Sequence, residues 1–122
     1  MDELIDRIVA SVGVERAVAE RAVGIILDFL SKEGPAETVQ GLIARLPGAD
    51  SVLQSAREES QGGMLAGLGG IMGVGSRLMG LGLGMGEIQA VTREVIAYAR
   101  AKVGDEAVGE IVGAVPGLSQ YI

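Results

Sequence analysis

The sequence predicts an all-α fold, a small helical bundle of two similar helical units around a Gly/Met-rich helix and connector. Apolar residues recur at helical spacing along most of the 122-residue chain, which is typical of helices that bury one face. The chain is 48% hydrophobic but only 2% aromatic, and a core of Leu, Ile, Val, Met and Ala suits packed helices better than a sheet. A chain of this length has room for one core. We therefore expect one helical domain over residues 1–122.

Two helices are predicted in the first part of the chain. The first runs from about Asp2 to Ser11, with Asp2 as its cap, and Gly13 ends it. The second runs from Glu15 to about Lys32 and ends before Gly34. Its apolar stripe consists of Val18, Ala22, Ile25, Ile26, Phe29 and Leu30. Asp28 is expected to lie mostly off this stripe, together with the other charged residues of the helix.

Two further helices are predicted before the middle of the chain. Pro35 suits the first turn of a third helix, which closes at Leu46 because the residue before Pro47 is disfavoured in helical conformation. Asp50 or Ser51 is a suitable cap for a fourth helix that extends toward Glu59. A loop is predicted after it, at residues 60–63.

The middle segment, residues 62–86, contains eleven of the twenty glycines, four of the five methionines and a single charge, Arg77. Each glycine weakens a helix by about 1 kcal/mol relative to alanine, whereas each large apolar side chain gains about 1.5–3 kcal/mol on burial. The segment is therefore expected to be covered by packed helices. From Gly80 to Gly86, glycine alternates strictly with Leu or Met, which favours an irregular connector.

Residues 63–79 of this segment separate cleanly into two arcs when they are wound as a helix. The bulky arc holds Met64, Leu65, Leu68, Ile71, Met72, Leu78 and Met79, and the smooth arc holds Gly63, Ala66, Gly67, Gly69, Gly70, Gly73 and Arg77. Small residues let another backbone approach closely. We take the bulky arc, with Gly67 and Gly70, as the candidate packing or interface residues.

The last part of the chain repeats the organisation of the first. A helix is predicted from about Glu87 to Lys102, Gly104 stops it, and another runs from Asp105 to Val115 before Pro116. A shift of 69 residues pairs Ile26 with Val95, Leu27 with Ile96, Phe29 with Tyr98, Glu37 with Glu106, Val39 with Val108, Leu42 with Ile111, Ile43 with Val112, Leu46 with Val115, and Pro47-Gly48 with Pro116-Gly117. These matches predict a duplicated unit, at about residues 13–54 and 82–122.

The order of several short sequences resembles a family of uncharacterised bacterial proteins known by their VcgC and VcgE members. These sequences are FLSKEG, LPGAD, the Gly, Leu and Met insert, GLGLG and IAYARAKVGDEAVGEIVGAVPG. The similarity extends from Gly13 to the end of the chain. It implies one compact helical unit, and it carries no activity, cofactor or catalytic residue onto positions of this chain.

The residue types that most chemistry requires are missing or scattered. The chain has no Cys and no His, which excludes disulfides, thiolate catalysis and zinc-thiolate sites. No glycine-rich window fits a dinucleotide or phosphate-binding loop, and the acids at Asp105, Glu106 and Glu110 are explained by the helix dipole. Ser60 and Ser76 are expected to be polar surface residues and not nucleophiles. We predict no catalytic, cofactor-binding or metal-binding residue, so the protein is not expected to be an enzyme.

These observations favour a soluble, non-catalytic binding or oligomerisation module. Its expected partner is a second copy of the chain, as a homodimer, or another protein. The net charge of −6 argues against nucleic acid as a partner. The acidic start of the chain, Asp2 to Arg7, lacks the features of a secretion signal, which makes the cytoplasm the expected location.

The alternative is a membrane- or lipid-associated helical protein that uses residues 62–86. On an insertion scale the Leu, Ile and Val residues of this segment contribute about −2 to −4 kcal/mol, and Arg77 removes about 2.5–3.5 kcal/mol. The alternating stretch after Gly80 would also leave backbone groups unpaired in lipid. Membrane contact is therefore the less favoured hypothesis.

Overall fold

The structure, a computed structural model, describes residues 2–46, 48–54 and 70–115, and the side chains of all of these except 70–73. All regular secondary structure in these ranges is α-helical, and the helices pack against one another, which confirms the predicted all-α bundle. The helices are α1 (Asp2–Val12), α2 (Arg16–Glu33), α3 (Ala36–Ala44), α4 (residues 49–54), α5 (Gly70–Met79), α6 (Met85–Val103) and α7 (Asp105–Ala114).

The long helix α2 lies at the centre of the bundle. It packs against α1, α3, α5 and α6, and for this reason its buried residues form an unbroken run from Ala22 to Leu30 instead of a stripe. The run includes Asp28, which is only 1% exposed. The prediction that Asp28 lies mostly off the buried face is therefore wrong, because α5 covers the side of α2 that helical periodicity alone assigns to solvent.

Several helix ends differ from the sequence prediction by one or two residues, and the differences at α3 and α6 are the largest. Helix α3 ends at Ala44, and the backbone then tightens as the Leu46 amide donates to the carbonyl of Ile43 at 3.1 Å. Helix α6 begins at Met85 instead of Glu87. The Glu87 carboxylate accepts a hydrogen bond from the Gly84 amide at 3.2 Å, which satisfies a backbone donor at the start of the helix.

The two predicted units correspond closely in the structure. A shift of 69 residues places α2 on residues 85–102, which lie within α6, and places α3 on residues 105–113, which lie within α7. Six of the seven apolar pairs that defined the repeat are buried in both units: Ile26 and Val95, Leu27 and Ile96, Phe29 and Tyr98, Val39 and Val108, Leu42 and Ile111, Leu46 and Val115. The seventh pair, Ile43 and Val112, is half-buried in both units. A duplicated unit requires such matched burial, and the duplication itself stays a prediction.

Candidate functional site

The predicted packing or interface residues fall into three groups. Met64, Leu65, Gly67 and Leu68 lie outside the described residues. Gly70, Ile71 and Met72 form the beginning of α5, where the structure describes the backbone only. Leu78 and Met79 are fully described, and they have opposite environments: Leu78 is fully buried, whereas Met79 is 52% exposed. The role of the whole set in packing or in an interface stays a prediction.

Helix α5 packs mainly against α2, through a face that is rotated from the predicted bulky arc. Val74 and Leu78, one turn apart, are the buried side chains of its described part. Arg77, from the smooth arc, lies close to this buried face and its guanidinium points to Asp28 of α2. This rotation leaves Met79 on the solvent side.

A buried carboxylate, Asp28, joins α2 to α5. Its Oδ2 lies 3.1 Å from Lys32 Nζ, one turn along α2, and 3.4 Å from Arg77 Nη1. The Arg77 side chain is itself only 19% exposed. Opposite charges compensate for the desolvation of a buried carboxylate. The single charge of residues 62–86 therefore forms part of the contact between α5 and α2.

The turn between α5 and α6 exposes an apolar surface. Met79 is 52% exposed and Met85 is 51% exposed, and they are the large hydrophobic side chains exposed in the described ranges. We call residues 79–85 the methionine turn. Leu83 is buried and holds the turn against the core, while the glycines at 80, 82 and 84 are exposed. The turn contains no charged residue. Unbranched methionine side chains adapt to differently shaped apolar surfaces.

The acidic residues considered in the sequence lie in ordinary surface interactions. Asp105 lies 3.8 Å from the Arg100 guanidinium, and Glu110 accepts a hydrogen bond from the Thr38 hydroxyl at 3.2 Å. Within the described ranges, no group of three or more carboxylates is arranged to hold a metal ion. No helix in the same ranges is long and apolar enough to cross a membrane.

A second group of charges lies on the surface at the start of α1. Arg16 donates hydrogen bonds to Asp6 and to Asp2, and it lies 3.8 Å from Glu20. The hydrogen bond with Asp6 is the main cause that raises the pKa of the Arg16 guanidinium above its ordinary value. Arg16 thus ties the start of α1 to the start of α2 through charge-assisted hydrogen bonds.

Comparison with family models, with curated proteins and with solved structures finds no match to this chain. The resemblance to the VcgC and VcgE family accordingly stays a prediction from the sequence.

The sequence identifies the apolar segment of residues 62–86 but not the polar side chain that contacts it. Helical periodicity places Asp28 on the surface, because periodicity cannot show how many neighbours surround a helix. One signal was available in the sequence. A lone Arg within a long apolar segment needs a carboxylate if the segment is buried, and Asp28 is the acidic residue between the apolar pairs of α2.

Proposed function

We propose that the protein is a non-catalytic helical binding or oligomerisation module, that the methionine turn is its binding surface, and that its partner is a second copy of the chain. The observation that carries the proposal is the exposure of Met79 and Met85 at the two ends of an uncharged turn. Exposed apolar surface that is not covered by the chain itself is typical of a contact with another molecule.

If two copies associate, charge favours a contact through this surface. Two chains of net charge −6 repel each other across most relative orientations. A twofold contact between methionine turns brings together two uncharged surfaces. The exposed glycines at 80, 82 and 84 have no side chains to separate the two backbones.

The size of the surface predicts weak, reversible association. Burial of one methionine side chain is worth about 1.5–3 kcal/mol, so the half-exposed methionines of two copies together gain about 3–6 kcal/mol. Association costs at least about 4 kcal/mol in lost freedom of motion. The balance is at best about −2 kcal/mol, a dissociation constant of roughly tens of millimolar from these side chains alone. Measurable self-association therefore also requires a contribution from contact between the backbones of the two turns.

Sedimentation velocity over a wide range of protein concentration tests the proposal. We expect the average mass of the wild-type chain to rise with concentration. The double variant Met79→Gln, Met85→Gln replaces two exposed apolar side chains with polar ones of similar size, and it should remain monomeric. Ala97→Gln is the matched control, because Ala97 is exposed on α6 away from the turn, and this variant should behave as the wild type does.

Three outcomes would contradict the proposal. A wild-type chain that is monomeric at every concentration, or a double variant that associates as the wild type does, removes the methionine turn as a self-association surface. Flotation of the wild type, but not of the double variant, with lipid vesicles would assign the turn to the lipid-associated alternative.

The proposal includes a cytoplasmic location. Fractionation of cells that produce the chain tests this part separately, and recovery in a membrane fraction would contradict it.

A further inference from the structure

Two helices that precede the predicted repeat follow the same shift of 69 residues. Helix α1, shifted by 69, falls on residues 71–81, which overlap α5 (Gly70–Met79). The units predicted from the sequence begin only after these helices, at about residues 13 and 82. We call α1, α2 and α3 the first three-helix unit, and α5, α6 and α7 the second three-helix unit.

The turn between the first and the second helix has the same backbone in both three-helix units. Gly13 and Gly82, which the shift pairs, both have a positive φ, of 81° and 92°. Two positions later, Glu15 and Gly84 are both extended, and each carbonyl accepts a hydrogen bond of 2.9 Å from the amide four residues further on. A positive φ is uncommon, so its recurrence at paired positions supports a repeat that includes α1 and α5.

The first helix of each three-helix unit packs mainly against the other unit. Helix α1 contacts α6 more extensively than α2, and α5 contacts α2 more extensively than α6. Ile5 of α1 and Val74 of α5, which the shift pairs, are both buried. The two units have therefore exchanged their first helices.

An ion pair accompanies each of these two contacts. Arg7 Nε of α1 lies 3.2 Å from Glu94 Oε2 of α6, and Arg77 Nη1 of α5 lies 3.4 Å from Asp28 Oδ2 of α2. The shift does not relate the two pairs residue by residue, but both have the same plan. The first helix of one unit supplies the arginine, and the second helix of the other unit supplies the carboxylate.

Both exchanged helices depend on packing for their stability. Helix α1 has 11 residues and α5 has 10, and isolated helices shorter than about 12–15 residues are marginal in water. Leu4, Ile5 and Ile8 of α1 are at most 1% exposed, and their spacing is that of an amphipathic helix that binds through one apolar face. Each first helix is thus held mainly by a surface of the other unit.

We infer that the chain is a fused pair of three-helix units that exchange their first helices, and that the second helix of each unit is a binding surface for the first helix of a like unit. Exchange of an identical element between two copies is a known route to a dimer, and here both copies belong to one chain. Because each unit borrows its main first-helix contact from the other, neither is folded when the two are apart. This inference does not rest on the methionine turn.

The test cuts the full-length chain between its two units. A protease recognition sequence is inserted after Gly62, in the loop predicted at residues 60–63, and the folded protein is cleaved there. We expect the fragments to stay together, and the melting temperature, followed by far-UV circular dichroism, to fall as the cleaved protein is diluted through the micromolar range, because the fragments unfold as they dissociate. The uncleaved protein with the same insertion is the control, and its melting temperature should not depend on concentration.

Substitutions at paired positions of the two first helices locate the exchange. Ile5→Ala on α1 and Val74→Ala on α5 should each raise the dissociation constant between the fragments by at least about tenfold. Glu37→Gln is the matched control, because Glu37 is an exposed acid in the first turn of α3, and it should leave the dissociation constant unchanged.

Cross-linking tests the exchange without relying on stability. The chain has no Cys, so Arg7→Cys and Glu94→Cys together place one thiol on α1 and one on α6. A short bis-maleimide should join the two fragments of the cleaved protein covalently, since Arg7 and Glu94 belong to different fragments.

Three results would overturn the inference. They are fragments that separate while each keeps its helical signal, a melting temperature of the cleaved protein that does not depend on concentration, and a cross-linker that leaves the fragments unjoined. None of them bears on the methionine turn, which sedimentation of the uncut wild-type chain measures separately.

Discussion

Glycines of this chain differ in how much space surrounds them. A Cβ built on Gly34, between α2 and α3, would lie 2.8 Å from the backbone oxygen of Leu30 and 3.1 Å from Val39 Cγ2. The Gly34 amide donates to that same oxygen at 2.8 Å, so the residue closes the end of α2. A Cβ built on Gly109, in the middle of α7, would meet no atom within 4 Å.

These environments predict opposite effects for the same substitution. Gly34→Ala should lower the free energy of unfolding by about 1–3 kcal/mol, because the new methyl group displaces the backbone at the end of α2. Gly109→Ala should raise it by about 0.5–1 kcal/mol, since alanine restricts the unfolded chain and favours the helix. Urea denaturation of both variants measures the difference. Equal effects of the two substitutions would contradict this account.

The sequence predicted Gly34 as a helix stop, and the structure confirms it. It could not predict the steric constraint there, because the methyl group of Val39 reaches Gly34 only when α3 has folded back against α2. It also could not distinguish Leu78 from Met79. Both belong to the apolar arc of one helix, and the contact with α2 decides which of them is buried.

At the scale of elements, the contact of α5 with α2 combines apolar packing with a buried ion pair. Val74 and Leu78 supply the apolar part, and Arg77 with Asp28 supplies the charged part. Apolar packing alone tolerates rotation or sliding of one helix on another, whereas an ion pair at a fixed position does not. We therefore expect Asp28 to fix the orientation of the Gly-rich helix.

Asp28→Asn should lower the free energy of unfolding by about 1–3 kcal/mol, because the amide keeps the shape of the carboxylate but leaves Arg77 and Lys32 without its charge. The control is Asp50→Asn, at an exposed position in α4, which should change stability by less than about 0.5 kcal/mol. Urea denaturation measures both. An equally small change for the two variants would show that the buried charge contributes nothing to this contact.

Helix positions are predictable from the sequence where the helix's own residues and the glycines next to it determine where it begins and ends. The positions of α1, α2, α6 and α7 follow from apolar spacing and from the glycines at 13, 34 and 104, and the irregular connector follows from its alternation. The start of α6 was misplaced by two residues. Its first turn depends on the hydrogen bond from the Gly84 amide to the Glu87 carboxylate. Glycine has no side chain, so the sequence shows no Ser, Thr, Asp or Asn at the cap position that would mark the start of the helix.

At the scale of the whole molecule, α1 joins the two predicted units. It packs against α2 of the first unit and even more extensively against α6 of the second. Glu94 of α6 lies 3.2 Å from Arg7 Nε and accepts a hydrogen bond from the Ser11 hydroxyl, so polar groups border this contact. The sequence predicted the buried face of α1 but not its neighbours, because periodicity identifies a face and not what covers it.

This arrangement predicts that the two units unfold together. Ile8 is fully buried on α1, and Ile8→Ala should lower the free energy of unfolding by about 2–5 kcal/mol. Arg7→Ala removes a neighbouring ion pair whose side chains are 44% and 23% exposed, and it should cost less than about 1 kcal/mol. Because α1 contacts both units, the slowest amides of α2 and of α6 should lose the same amount of hydrogen-exchange protection in the Ile8 variant. If α6 keeps its wild-type protection while α2 loses it, the two units are separate cooperative units, and α1 does not join them.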